Sequence, residues 1–289
     1  RKNIDKTILG IPKTIKAFFT SLSLISQYQP HIIVSFGGYV SVPVITAAWF
    51  KKIPSITHEQ TTTTSMATKI NSYFATKVAL SFNNSHQLNN LPSTKTVVTG
   101  NLLRQEIFNN HSDFSKKITK PFIYFTGGNQ GSVFLNKLIY SMVPKLSTRF
   151  FILHQTGKNC DDDLQNLLSK KYNYRSLEFI ESEDIGWVLH NAELVISRSG
   201  ANICQELDAL DKKSLLIPHP FTQQNEQQKN AKWLKKLHPK TTIIISQNRA
   251  TTSRVMRSII ALSKTIHIPT PSSISKKHPL FQLIHEISL

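Results

Sequence analysis

Ten glycines in 289 residues are few, and where they stand constrains the fold more than any other feature of this chain. Average usage near 7% would give roughly 20, so the positions that keep glycine mark places where the backbone needs it. Eight of the ten fall at Gly37-Gly38, Gly100, Gly127-Gly128, Gly131, Gly157 and Gly200. Most follow a short apolar, β-branched run: HIIVSF before Gly37, TVVT before Gly100, FIYFT before Gly127, FILHQT before Gly157 and LVISRS before Gly200. Such runs predict strands that end in turns. Between them stand helical stretches, VPVITAAWFKK (42–52), FLNKLIYSMVPKL (134–146), DDDLQNLLSKK (161–171) and NICQELDAL (202–210). Strands alternating with helices predict an α/β protein with parallel sheets covered on both faces, which bind ligands at the carboxyl ends of their strands. The glycine turns sit at those ends.

Composition narrows the function classes. The chain is 39% hydrophobic, enough for a sizeable core, and carries 35 Lys+Arg against 17 Asp+Glu, a net charge of +18. Lysine supplies 27 of the basic residues, and lysine is a hydrated point charge rather than a fork for bases or phosphates. With no helix-turn-helix, aromatic RNP stripe or zinc pattern, the charge reads as a cationic surface, and no nucleic-acid partner is expected. Cys160 and Cys204 are too few for a disulfide framework or a zinc site, which fits a reducing compartment. Residues 17–50 hold no Asp, Glu, Lys or Arg, but Pro30, His31 and Gly37-Gly38 interrupt them, so no membrane span is expected.

Polar breaks at 109–121 (NNHSDFSKKITKP) and 267–279 (HIPTPSSISKKHP) predict the organisation. Residues 1–113 form a first α/β half and 114–270 a second, while 271–289, with the apolar helix FQLIHEISL, return to the first half.

Three segments of the second half carry the chemistry. Phe125-Thr-Gly-Gly-Asn-Gln-Gly-Ser132 joins a strand to a helix, where glycines admit a ligand to the backbone and the helix N-terminus offers free N–H groups to a phosphate. It matches neither the dinucleotide fingerprint nor the P-loop, and a tight turn without ligand is the other reading. In Ile196-Ser-Arg-Ser-Gly-Ala-Asn-Ile-Cys-Gln-Glu206 a helix starting near Ala201 would hold a diphosphate, Arg198 would add charge, and Glu206 would accept bonds from ribose hydroxyls. Alternatively, Ser199 is an N-cap and Glu206 a surface residue. Gln223-Gln-Asn-Glu-Gln-Gln-Lys-Asn-Ala231 follows the strand SLLIP (214–218) and offers amides to a sugar, or else is a solvated helix face.

In the first half, Phe36-Gly-Gly-Tyr-Val-Ser-Val-Pro43, His58-Glu-Gln60 and Gly100-Asn-Leu-Leu-Arg104 also follow strands. His58 and Glu59 are acid/base candidates, although a lone His-Glu pair is more often structural. Cys160-Asp-Asp-Asp163 is better explained by capping and the helix dipole than by a metal, so no metal site is expected.

Together and in this order, GGYVS (37–41), P-x-x-x-HEQ (54–60), V-x-GN-x-x-R (98–104), GG-x-QG (127–131), HQTGK (154–158), RSGA…E (198–206) and QQ-x-NA (227–231) resemble one family. This is the MurG family, the N-acetylglucosaminyltransferases that convert lipid I to lipid II in bacterial peptidoglycan synthesis. The resemblance implies a GT-B architecture of two Rossmann-like domains facing a cleft. The carboxyl half would bind UDP-N-acetylglucosamine and the amino half the undecaprenyl-diphosphate-linked acceptor. It further implies that Arg104, Asn129, Ile180, the stretch Ala201, Asn202, Ile203, Cys204, Gln205 and Glu206, and Gln227 with Gln228 line the donor site. Ile180 would flank the uracil, Glu206 hold the ribose, and the two glutamines read the sugar hydroxyls. Gly37, Gly38, Tyr39, Glu59 and Thr61 would lie toward the acceptor. Helix-dipole stabilisation of departing UDP needs no metal and no cofactor.

The sequence departs from the family at several points. Asn129 replaces the usual Ser, Ile203 a Thr, Thr61 an Asn and Val42 a Gly, while Asp211 and Lys213 stand where Gly and Pro are common. The family's opening strand and GGTGGH-type loop have no counterpart before Gly37. The first sheet is therefore expected to lack its first strands, a lead of roughly 60 to 70 residues on a scale of 30-odd per βαβ unit. That leaves the catalytic base unassigned, with His58 a weak candidate. Lys2, Lys6, Lys13 and Lys16, set beside Ile8, Leu9, Ile11, Ile15, Phe18 and Phe19, make either a basic amphipathic surface for an anionic membrane or an ordinary packed helix. The expected location is peripheral, on the cytoplasmic face of the bacterial membrane. Another GT-B glycolipid glycosyltransferase, a UDP-sugar epimerase and a non-catalytic UDP-sugar binder are the alternatives.

Overall fold

The computed structural model describes residues 10–83, 88–112, 118, 121–158, 160–270 and 278–288. The chain forms two compact units, Arg1–Leu102 with Ile274–Leu289, and Leu103–Ser273.

The first unit is built on a four-stranded sheet in the order β1-β2-β3-β4. Its strands are β1 (Ile33–Ser35), β2 (Ser55–Glu59), β3 (Lys77–Leu80) and β4 (Thr96–Val98), all pairing in parallel. Parallel neighbours require crossovers, and helices α1 (Gly10–Tyr28), α2 (Ser41–Phe50) and α3 (Met66–Phe74) lie along the same stretch of chain. Phe18, Leu22 and Ile25 of α1 pack on Ala47 and Ala48 of α2 and on Ile33 of β1. Lys13, Ile15, Lys16 and Phe19 remain exposed on α1, while Lys2, Lys6, Ile8 and Leu9 of the expected amphipathic segment lie outside the described residues. Among the described residues no helix is long and apolar enough to cross a membrane.

The second unit holds six parallel strands in the order β10-β9-β8-β5-β6-β7. They are β5 (Phe122–Thr126), β6 (Phe151–Gln155), β7 (Tyr174–Leu177), β8 (Leu194–Ser197), β9 (Ser214–Leu216) and β10 (Thr242–Ile244). The helices of this unit are α4 (Val133–Leu146), α5 (Asp162–Lys171), α6 (Ser182–Asn191), α7 (Ala201–Ala209), α8 (Glu226–Leu237) and α9 (Thr252–Lys264). One core cluster joins the sheet to α4 and α9 through Leu135, Ile139, Val143, Val255 and Ile259, and a second joins it to α6, α7 and α8 through Trp187, Val188, Leu207 and Leu234. Strand order reverses between β5 and β8. In a doubly wound sheet that switch point is where a crevice opens beyond the strand ends.

The second unit starts earlier than the polar break at 109–121 suggests. Gln105–Phe108 forms a 3-10 turn whose Ile107 is fully buried with Ile185 and Val188 of α6. A Cβ at Gly186 would come within 2.0 Å of the Glu106 carbonyl, so the turn and α6 touch backbone to backbone. At the far end, α10 (Pro279–Ser288) belongs to the first unit, with Leu280 and Leu283 buried against Ile56 and Ala79.

Candidate functional site

The loops that follow β5 and β8 meet at the switch point of the second unit. The β5 loop turns at Gly128 and Gly131, both at positive φ, and is closed by a bond from the Gly131 N–H to the Gly128 carbonyl (3.0 Å). Gly131 rests on the loop after β6, where a Cβ would lie 2.0 Å from the Thr156 carbonyl, and a Cβ on Gly157 would lie 2.5 Å from Gly131. The two glycines are therefore required by a backbone-to-backbone approach. Asn129 stands exposed at the crest, and Ser132 caps α4 by accepting from the Leu135 N–H at 3.4 Å.

The β8 loop decides between the two readings of Ser199. Gly200 is the N-cap of α7 and has no side chain with which to cap it. Ser199 faces away, its hydroxyl donating to the Gln227 carbonyl at 2.8 Å. Helices α4, α5 and α9 are capped by Ser132, Asp161 and Thr251, whereas α6 and α8, like α7, have no side-chain cap, and of these three only α7 starts directly after the switch-point strand β8. Asp161 thus caps α5, as the capping reading of the acidic run required. A helix start whose N-cap offers no side chain still presents the positive end of the helix dipole, which suits an anion.

Glu206, on the second turn of α7, is buried rather than at the surface. Its Oε1 accepts from Arg104 Nε at 2.9 Å, with 5% of the Glu206 side chain and 36% of the Arg104 side chain exposed. Burial pushes its carboxyl above the usual carboxylate range, and the Arg104 guanidinium pulls it back. A carboxylate held this way is a strong acceptor in a low-dielectric site.

Arg198 is also buried, and it supplies charge from behind the loops. It donates to the Ile217 carbonyl (3.0 Å) and to Ser132 Oγ (2.8 Å), and its guanidinium lies 5.7 Å from the Phe134 ring centroid. Burial lowers its pKa to about 10, which leaves it cationic at neutral pH.

Gln227 and Gln228 have different surroundings. Gln227 Oε1 accepts from the His219 N–H (2.9 Å) and the Ser199 N–H (3.4 Å), and Asn230 donates to the Ser199 carbonyl (3.1 Å). Gln227 and Asn230 thus clip the β8 loop to α8, leaving Gln227 only its amide N–H groups for a ligand. Gln228 lines an open cavity of about 570 Å³ beyond β9 and β10, together with Phe134, His219, Phe221, Asn225 and Gln247. Amides among aromatic walls suit a neutral, hydroxylated ligand.

Along the expected site stretch, Ala201, Asn202 and Ile203 reach the surface at the helix start, whereas Cys204 and Gln205 are buried. Ile180 is 2% exposed and packs with Leu153, Ile185 and Trp187. Its side chain therefore cannot flank a base, and only its backbone can meet a ligand.

The first unit corrects another expectation. Gly37 and Gly38 form a turn at φ +84° and +79°, and Tyr39 is exposed beside it. His58 and Glu59 lie within β2 rather than after it. His58 is 0% exposed, its Nε2 lies 3.1 Å from both the Gly100 carbonyl and Ser81 Oγ, and burial lowers its pKa. A carbonyl only accepts, so Nε2 carries the proton, and Nδ1 is buried without a hydrogen-bond partner. His58 is thus tied through Nε2 to the Gly100 turn. Glu59 is equally occupied: its carboxylate accepts from the Thr61 N–H (3.3 Å) and the Ser65 N–H (2.8 Å), and Thr61 Oγ1 lies 2.9 Å from it.

Similarity to known proteins bears on the family and the fold. The glycosyltransferase family 28 C-terminal domain model matches residues 122–286 and the family 28 N-terminal domain model residues 1–80. A Clostridium tetani protein named UDP-N-acetylglucosamine--N-acetylmuramyl-(pentapeptide) pyrophosphoryl-undecaprenol N-acetylglucosamine transferase is 34% identical over 211 residues, which is 71% of this chain and 57% of that protein. This chain thus spans a little over half the length of the curated relatives it matches. The crystal structure of Acinetobacter baumannii MurG superposes with a TM-score of 0.68 at 24% identity, covering 96% of this chain and 74% of that one. The UDP-GlcNAc 2-epimerase of Neisseria meningitidis bound to UDP-GlcNAc gives 0.62 at 16% identity, covering 86% of this chain and 72% of that one. Both structures share the fold of paired parallel α/β sheets. The chain belongs to glycosyltransferase family 28.

Proposed function

We propose that this protein transfers N-acetylglucosamine from UDP-N-acetylglucosamine to the muramyl 4-hydroxyl of undecaprenyl-diphosphate-linked N-acetylmuramyl-pentapeptide, converting lipid I to lipid II, with inversion and without a metal. The observation that carries the reading is the uncapped start of α7 beside the buried, Arg104-paired Glu206. The α7 N–H groups hold the diphosphate, and Glu206 accepts from the ribose hydroxyls. Asn129 and the cavity beside Gln228 take the sugar, and the backbone at Ile180 borders the uracil. As the acceptor oxygen attacks the anomeric carbon, the bond to the diphosphate breaks and negative charge grows on UDP. Helix donors fixed in place stabilise that charge without reorganising. The acceptor proton passes to a base that is not His58. Arg104 exchanges Glu206 for the diphosphate as the donor enters.

The first unit serves the lipid-linked acceptor at the cytoplasmic face of the membrane. This is supported by Lys13 and Lys16 standing exposed on α1 with Ile15 and Phe19. Each lysine near an anionic surface contributes about 1 kcal/mol, and cosedimentation with anionic but not neutral vesicles is expected.

A soluble lipid I analogue, UDP-N-acetylglucosamine and EDTA, followed by mass spectrometry, test the activity. The expected product is a β-linked disaccharide, with Glu206→Ala lowering kcat/KM about 100-fold. Conversion of the donor to its 2-epimer, or no transfer at all, contradicts the proposal.

A further inference from the structure

The HQTGK segment is not used by the donor site as described, yet it lies directly beneath the glycine loop. His154 is buried between Tyr174 Oη (3.0 Å) and Asn136 Oδ1 (3.1 Å), and Asn136 donates to the Thr156 carbonyl (3.0 Å), which fixes the surface on which Gly131 rests. Gln155 reaches the loop itself. Its Nε2 donates to the Gly128 carbonyl at 3.4 Å, while its Oε1 accepts from the Tyr124 hydroxyl at 2.6 Å. Gly128 is held from its other side too, its N–H donating to Thr126 Oγ1 at 2.9 Å.

An amide can bind a carbonyl only through its nitrogen, so the face that Gln155 turns to Gly128 depends on what occupies its oxygen. Tyr124 decides this. Its phenol is buried on β5, and burial pushes its pKa far up, so it stays protonated and donates. Without that donor the Gln155 oxygen is orphaned, and the amide gains by turning away from Gly128.

We propose that Tyr124 and Gln155 are positioning residues that set the conformation of the 127–131 loop, and through it the placement of Asn129 against the nucleotide sugar. The proposal rests on the donor-site reading above for its ligand, but not for its geometry. It assigns the Gln of HQTGK, and a tyrosine outside every motif, to one device: phenol, amide, glycine carbonyl, loop. Buried networks of this kind hold ligand-contacting groups to within fractions of an ångström.

Two variants of the full 289-residue protein, measured by amide hydrogen exchange, by calorimetric titration of UDP-N-acetylglucosamine and by melting, test it. Tyr124→Phe removes only the hydroxyl, and the amides of Gly128 and Gly131 are expected to exchange faster while Kd rises about tenfold. The double variant Tyr124→Phe with Gln155→Leu removes both buried polar partners, so it recovers melting temperature but retains the fast exchange and the weak binding. Unchanged exchange in Tyr124→Phe overturns the positioning role whatever the ligand is. Faster exchange with unchanged affinity overturns the link to the donor, and so does an affinity that recovers together with melting temperature in the double variant. A parent protein that does not bind the nucleotide sugar contradicts the donor-site reading instead, with loop positioning still decided by exchange.

Discussion

At the scale of single residues, two buried titratable groups make the site and its support sensitive to acid in different ways. In the proposed donor site Glu206 accepts from ribose as the carboxylate, and burial raises its pKa while Arg104 opposes the rise. Affinity for UDP should therefore fall as pH drops through a value above the ordinary carboxylate range. Arg104→Ala should move that fall to higher pH, as titration calorimetry between pH 5 and 8 would show; an unmoved profile would mean the pair does not govern ionisation. His154 acts on stability. Its pKa in the folded protein is lowered by burial to about 3, far below the ordinary 6.5 that the unfolded chain recovers. The unfolded state binds the proton first, so this stability is fully present above pH 6.5 and drains away as pH falls toward 3, by an amount on the order of a few kcal/mol. Burial lowers His58 in the same direction, and also His278, whose Nε2 lies 3.0 Å from the Asn101 carbonyl. Denaturant midpoints should decline from pH 7 to pH 5, and a flat profile would contradict the buried neutral state.

At the scale of elements, the glycines of the two switch-point loops are not equivalent. Gly131→Ala places a Cβ 2.0 Å from the Thr156 carbonyl at φ +72°, whereas at Gly200 a Cβ meets nothing within 4 Å. Gly131→Ala should lower the melting temperature by roughly 10 °C or more, and Gly200→Ala by less than about 3 °C. Differential scanning calorimetry separates these outcomes, and equal shifts would contradict the backbone contact. The strands before these glycines were legible in the sequence because β-branched runs ending in glycine are local signals, and FIYFT maps onto β5 residue for residue. What stayed illegible depends on partners distant in sequence. Which of Ser199 and Gly200 caps α7 is settled by Gln227 drawing the Ser199 hydroxyl away. The surroundings of His58 are set by Gly100 and Ser81, which follow β4 and β3. Tyr124 carries no motif at all, and only the pairing of β5 with β6 sets it beside Gln155. The break at 109–121 looks like a linker in composition, yet Ile107 before it is fully buried with α6 of the second unit.

At the scale of the whole molecule, the chain leaves the first unit near Leu102 and returns to it for its last helix. Ending the chain at residue 273 removes Leu280 and Leu283 from their contact with Ile56 and Ala79. Each lost leucine costs about 2–5 kcal/mol, so calorimetry should show the first-unit transition lowered or lost and the second-unit transition in place. A shared shift of both transitions would contradict independent cores. The proposed donor site lies in the second unit, where the reversal of strand order, the Gly200 start of α7 and the buried Glu206 coincide. Titrating UDP-N-acetylglucosamine into the purified protein in the presence of EDTA tests that claim most directly. Saturable binding that weakens at least tenfold in Glu206→Ala is the predicted result, and absence of binding, or an affinity indifferent to Glu206, would contradict it.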